Sequence, residues 1–243
     1  MSNLDELIKN SLIELKKVYT AEGTLTSHKS KLIFPNYNNH KDNIDKTRIS
    51  EQEARFLLTR ELESPRNTDL YYSIETPTQK KYRFSDDGKL LKNPRIDEKG
   101  RSASIDLAIH KWNEEKFIIT NLIEFKFGNN KTCRKDLLKL LCDNKDCDKD
   151  CNTDCNTDYY INILLSCDSG TIDGLKKKIN DSIEYINSEY QKEVTKGNLK
   201  VIILILGENK DKQFDGADYL VFEFPKDKLD NIEFKPLIKE KLG

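Results

Sequence analysis

The sequence predicts a mixed α/β domain, in which helices flank one sheet that holds both antiparallel and parallel strands. Three observations carry that expectation. Several segments place apolar residues three or four apart, the spacing of a helix with one buried face. Others are short β-rich runs, and the run at 199–207 (LKVIILILG) is nearly all β-branched residues and Leu, as in a central strand covered on both faces. The strands at 102–110 and 117–128 are joined by a turn short enough to make them an antiparallel pair, so the order is no simple βαβ repeat.

Taken in order, residues 3–19 form an amphipathic helix with Leu4, Ile8, Leu12 and Leu15 in one stripe, and Ser2 with Asp5 fits a capping box. Residues 20–48 are polar and aperiodic and read as a loop, with a short strand around Leu32–Phe34. Residues 50–63 restart a helix: Ser50 is the N-cap, Glu53 completes S-x-x-E, and Ala54, Leu57, Leu58 and Leu62 form the buried stripe. YYSIETPT (71–78) is a β-rich run ended by Pro77, and 80–101 is a long connection or ribbon. SASIDLAIH and FIITNLIEFKFG are the paired strands, with KWNEE as their turn. Residues 131–142 are helical, 160–167 a buried strand, 171–190 helical, 219–224 a strand, and 226–242 a short C-terminal helix. Residues 142–158 (CDNKDCDKDCNTDCNTD) are of low complexity. The domain reading is a helix and polar loop over 1–48, then one domain over 49–243 with this insert at 142–158.

Lys and Arg total 41 against 42 Asp and Glu, a net charge of −1, which excludes a protein that binds nucleic acid by bulk positive charge. No apolar run is long enough to span a bilayer, so no membrane partner is expected. The N-terminus has no apolar leader, so the expected place is the cytoplasm, with the six Cys as reduced thiols.

The residues that carry chemistry are Asp106, Glu124 and Lys126. Side chains alternate along a strand, so Glu124 and Lys126 share one face and Ile123, Phe125 and Phe127 share the other, core-side face. Charges inside apolar strands are expensive unless paired. The hairpin brings Asp106 toward Glu124, and two close carboxylates repel unless a cation or proton lies between them. Mg²⁺ is a hard ion that suits such a pair. In the structural alternative, Glu124 and Lys126 simply pair with each other and Asp106 faces solvent at its strand end.

With SIDLAI carrying Asp106, and IEFKFG carrying Glu124 and Lys126 eighteen residues later, the chain resembles the PD-(D/E)XK nuclease superfamily. The resemblance covers Ser50 through Cys167, and Ile105 stands where the family's name has Pro. It implies a restriction-endonuclease-like core in the order α-β-β-β-α-β with flanking helices, and metal-dependent phosphodiester hydrolysis. Asp106 and Glu124 would hold Mg²⁺ (or Mn²⁺), with the backbone carbonyl of Phe125 as a further ligand. Lys126 would orient or deprotonate the attacking water. Many members add a Glu from the first helix. Helical geometry puts Glu51 nearer than Glu53 to the buried stripe and makes Glu51 the site residue.

Softer candidates are Glu75 at the end of the first strand, the hydroxyl of Ser104, and Lys135 with Lys139 on a helix face expected to be solvated and basic. Over 80–101 eight bases face four acids. Lys80, Lys81 and Arg83 there, with Lys135, are the candidate phosphate contacts. Cys142, Cys147, Cys151 and Cys155 read as an expanded mobile loop, with metal binding as the alternative. The sequence thus points to a nuclease acting on DNA in preference to RNA, and a homodimer would supply two sites for cutting a duplex. The rival readings are a catalytically silent nucleic-acid-binding or scaffold protein of the same fold, and a metal-binding protein built on the Cys tract.

Overall fold

The computed structural model describes residues 3–20, 36–39, 44–47, 49–65, 67, 69–128, 130–143 and 157–242. The chain forms two compact units, one of Met1–Thr68 with Leu242–Gly243 and one of Asp69–Lys241. Among the described residues there are four α-helices and an eight-stranded mixed sheet, so the architecture is mixed α/β. None of these helices is long and apolar enough to cross a membrane.

In the first unit, α1 (Asn3–Thr20) packs on α2 (Glu51–Leu62). Both stripes read from the sequence are buried: Leu4, Ile8, Leu12 and Leu15 on α1, and Ala54, Leu57, Leu58 and Leu62 on α2. The capping box of α2 forms as well. Ser50 N–H donates to Glu53 Oε2 at 2.8 Å, and the Ser50 hydroxyl oxygen accepts from Gln52 N–H. Ser2 lies outside the described residues. The segment expected as loop contains an antiparallel hairpin, β1 (Asn36–Asn39) with β2 (Ile44–Thr47). The strand expected at Leu32–Phe34 lies outside the described residues.

The second unit is built on β3 (Tyr71–Asp86), β4 (Lys89–Ile96), β5 (Arg101–Trp112), β6 (Phe117–Phe127), β7 (Thr157–Leu164), β8 (Asn198–Ile205), β9 (Tyr219–Pro225) and β10 (Ile238–Glu240). Their order across the sheet is β10-β9-β8-β7-β6-β5-β3-β4. The pair β5–β6 is antiparallel, as its short turn requires, whereas β6–β7 and β7–β8 are parallel. The helices α3 (Cys133–Cys142) and α4 (Thr171–Tyr190) supply those two crossovers. Their apolar residues pack with Leu122, Tyr160, Val201 and Ile203 into the main core. Ile123 and Phe125, on the opposite face of β6, are buried too, so this strand is covered on both sides.

The first sheet strand does not end at Pro77 but continues to Asp86 through a register shift between Pro77 and Lys81. Proline has no N–H for the ladder, and an irregularity is where a strand tolerates it. The loosened backbone is satisfied locally. Ala103 N–H donates to Thr78 Oγ1 at 2.9 Å, and the Gln79 and Lys80 N–H groups donate to the Asp143 carboxylate at 3.2 and 2.9 Å. Asp87 and Gly88, both at positive φ, then form the two-residue turn into β4.

The C-terminal helix expected over 226–242 does not form. Lys226–Asn231 is 3₁₀ turn and Ile238–Glu240 is an edge strand on β9. Pro236 cannot donate within a helix. The Phe234 ring packs edge-on against Phe222 and Phe224, holding this segment extended across the core.

A buried ion pair ties the start of β7 to the end of β9. Lys226 Nζ lies 2.6 Å from Asp158 Oδ2 and also donates to Leu140 O and Thr195 Oγ1, while Asp158 Oδ1 accepts from Leu122 N–H at 2.7 Å. Both side chains are 0% exposed. All three ammonium donors are used, which makes so complete a burial tolerable. Replacing Lys226 with Ala strands the Asp158 carboxylate and should cost about 3–5 kcal/mol, read as a lowered urea midpoint.

Cys133, Cys142 and Cys167 are free and buried. Cys142 is the last residue of α3, in the core, and the other three cysteines of the tract lie outside the described residues. Burial pushes the Cys133 thiol up to about 11 and that of Cys142 up to about 12. Both should therefore resist alkylation at pH 8 in the folded protein and react once urea is added. Peptide mapping after iodoacetamide labelling checks this.

Candidate functional site

The residues singled out on β5 and β6 meet in the second unit. The β5–β6 ladder pairs Leu107 with Ile123 and Ala108 with Leu122, and one further step along it brings Asp106 beside Glu124. Phe125 N–H donates to Asp106 Oδ2 at 2.8 Å and fixes that carboxylate at the ladder's end. On the other side of β6, Glu124 pairs in register with Tyr160 of β7 and Lys126 with Asn162. Glu124 and Lys126 therefore share a sheet face, as strand alternation requires. This is the face that α3 covers.

The helix contributes the two residues that complete the cluster, Asp136 and Lys139. Lys139 Nζ lies 2.5 Å from Glu124 Oε1, 2.9 Å from the backbone oxygen of Ser104 and 3.3 Å from Asp136 Oδ1. Lys126 Nζ lies 3.3 Å from Asp136 Oδ2. Glu124 and Lys126 are therefore each matched to α3 rather than to one another, which replaces the pairing expected if the two were a simple strand ion pair. Glu124 and Asp136 are 1% exposed and Lys139 is 3%, whereas Asp106 and Lys126 are only partly buried. The cluster is closed at its Glu124 end and reaches the surface through Asp106 and Lys126.

Its charges do not cancel. Three carboxylates, Asp106, Glu124 and Asp136, share two ammonium groups. Burial pushes the Glu124 carboxyl well above the usual carboxylate range. Lys139 opposes that shift, and the charges of Asp136 and Asp106 add to it. For Lys139 burial works downward, but Glu124, Asp136 and Asp106 outweigh it, and its pKa is raised. Lys139 is accordingly held as an ammonium. Asp136 Oδ2 and Tyr160 Oη are buried without a hydrogen bond, so the cluster has oxygen lone pairs to spare.

The donor set suits a hard cation, since every candidate ligand atom is oxygen. Among the described residues no three acidic, His or Cys side chains stand close enough to hold a metal as arranged. The Lys139 ammonium lies between Glu124 and Asp136. A metal on Asp106 and Glu124 requires Glu124 to release Lys139, which keeps Asp136 and the Ser104 carbonyl as partners.

The remaining candidates fall elsewhere. Glu51 is the first residue of α2 in the N-terminal unit and is partly exposed. Glu75 is not a strand end. It sits within β3 between the pairs Ile74–Leu107 and Thr76–Ile105, which puts it across from Asp106, and it is exposed with φ +51°. Ser104 reaches the cluster through its backbone oxygen and not its hydroxyl. Lys135 and Lys139 do not form a solvated basic face: Lys135 Nζ lies 4.8 Å from the Phe84 ring centroid and Lys139 is buried.

Of the bases expected at phosphate, Lys80 is 2.6 Å from Glu193, and Arg83 is paired with Asp86 and Asp97. Lys81 is exposed on the rim of a surface cavity of about 630 Å³, also lined by Gln79, Lys80, Ile96, Glu98, Tyr190 and Glu193. Sequence reasoning missed Asp136. Its i, i+3 spacing from Lys139, one helix after E-x-K, was the available signal.

No protein family model, curated protein or solved structure matches the chain.

Asp136 serves two lysines, so Asp136→Ala should lower the urea midpoint by the equivalent of about 3–5 kcal/mol. Asp106→Asn keeps an acceptor for Phe125 N–H at a partly exposed position and should cost less than about 1.5 kcal/mol.

Proposed function

We propose that the chain is a metal-dependent nuclease of the PD-(D/E)XK type, acting on DNA, with Mg²⁺ or Mn²⁺ as its ion. The observation that carries this reading is the meeting of Asp106 and Glu124 across β5–β6, with Lys126 on the same face and at the open side of the cluster. The arrangement of α2, the β3–β5–β6 antiparallel set, α3 and β7 supports a restriction-endonuclease-like core.

In this reading Asp106 and Glu124 hold the ion, with the Phe125 carbonyl as a third oxygen. The chemistry supplied by a bound divalent ion is polarisation of the phosphoryl group and a lowered pKa for a water molecule. Lys126 stands where its ammonium can hydrogen-bond that water and the non-bridging phosphate oxygens. Asp136 fixes Lys126 from behind at 3.3 Å. Glu51 is a further proposed acid, and Lys81 and Lys135 are proposed contacts to the DNA backbone. A homodimer would bring two such sites to one duplex.

One observation favours a second reading, a catalytically silent nucleic-acid-binding or scaffold protein of the same fold. The Glu124 carboxylate is buried and already held by an ammonium.

Plasmid, linear duplex, single-stranded DNA and RNA, each incubated with Mg²⁺, Mn²⁺ or EDTA, separate the two. The nuclease reading expects cleavage that EDTA abolishes, and a loss of roughly 10²–10³-fold in Asp106→Ala and Lys126→Ala with the fold retained by circular dichroism. Cleavage by both variants at the wild-type rate rejects the site. Binding of DNA without cleavage under any condition supports the silent protein.

A further inference from the structure

The Lys139 ammonium is bound as a metal ion would be. Three oxygens from three elements converge on it: Glu124 Oε1 from β6, Asp136 Oδ1 from α3 and the Ser104 carbonyl from β5. Hard divalent cations take this kind of donor set, mixed carboxylate and backbone carbonyl. Two further buried oxygens border the place. Asp136 Oδ2 and Tyr160 Oη accept no hydrogen bond, and Tyr160 lies within electrostatic reach of Asp136. A cluster of three carboxylates and two lysines is one positive charge short.

We propose that the seat of Lys139, formed by Glu124, Asp136 and the Ser104 carbonyl, is a latent divalent-cation site, and that Lys139 is its internal competitor. The inference rests on the nuclease reading in taking Glu124 as a metal ligand, and deepens it by adding Asp136 and Ser104 O to the donors. The ammonium holds the acids together when no metal is bound. A divalent ion gains Glu124 and Asp136 only by displacing it. Metal affinity is then set by the exchange of one cation for another. No bond is made or broken beyond coordination and ion pairing.

The test is Mn²⁺ binding by the full chain, followed through the electron paramagnetic resonance of the free ion, which reads occupancy without any substrate. Lys139→Met keeps an unbranched apolar stem and removes the competitor. It should bind Mn²⁺ about tenfold or more tighter than the wild type, the scale on which neighbours of a metal site act. Its thermal midpoint should rise with Mn²⁺ by more than the wild-type midpoint does. Adding Asp136→Asn to Lys139→Met should remove the gain.

If Lys139→Met needs the ion to fold at all, Mn²⁺ should restore its circular dichroism, which also supports the seat. The proposal is overturned if Lys139→Met gains no affinity, if the gain survives Asp136→Asn, or if the variant stays unfolded with saturating Mn²⁺. The two readings can fail separately. Cleavage by the wild type with no gain in Lys139→Met ends this inference alone. A gain in Lys139→Met with no cleavage by any form ends the nuclease reading alone.

Discussion

The constraint on which the second unit turns is the cost of placing charge on a strand that is covered on both sides. β6 is the hinge of the sheet: β5 lies antiparallel on one side of it and β7 parallel on the other. Its residues Ile123 and Phe125 are buried on one face, and α3 roofs the other. A lone Glu or Lys in such a place would be lost to desolvation. The sequence meets that cost in the next helix. Asp136 and Lys139, one turn apart, carry charges opposite to those they face, and each is matched across the sheet–helix interface. Both pairs fix how α3 sits on the sheet, and through α3 the path into β7 is fixed as well.

The same packing grades the cluster from wet to dry. Asp106 and Lys126 meet solvent, while Glu124, Asp136 and Lys139 are withdrawn beneath α3. Charged groups at the open end can exchange partners with water and with a phosphate. Groups at the closed end interact strongly because little solvent screens them. A polar site open on one side and rigid on the other combines access with a fixed field, which is what transition-state stabilisation of an anion needs.

Much of this architecture was legible from local signals. The buried stripes of α1 and α2, the S-x-x-E box at Ser50 and the antiparallel β5–β6 pair depend on neighbours a few residues away, and all appear as read. The face shared by Glu124 and Lys126 was equally legible, because alternation is a property of the strand itself. What lay over that face was not. Lys139 looks like an exposed helix lysine until Glu124, fifteen residues earlier, is placed beneath it. The extension of β3 past Pro77 depends on Asp143, more than sixty residues away, accepting from the Gln79 and Lys80 amides. The extended C-terminal segment depends on the Phe234 ring finding Phe222 and Phe224. Periodicity cannot see partners that only the tertiary fold supplies.

The ends of the chain entering and leaving 144–156 are both moored. Before it, Asp143 is tied to β3 through Gln79, Lys80 and Tyr82. After it, Asp158 is locked by Lys226 and by the amide of Leu122. Each mooring is made by residues outside the intervening stretch. Over evolutionary time that stretch is thus free to lengthen, shorten or drift in composition through replication slippage, since no bond that holds α3 or β7 runs through it. For the experimenter it is a natural splice point, where a tag or reporter can be inserted between two anchored posts.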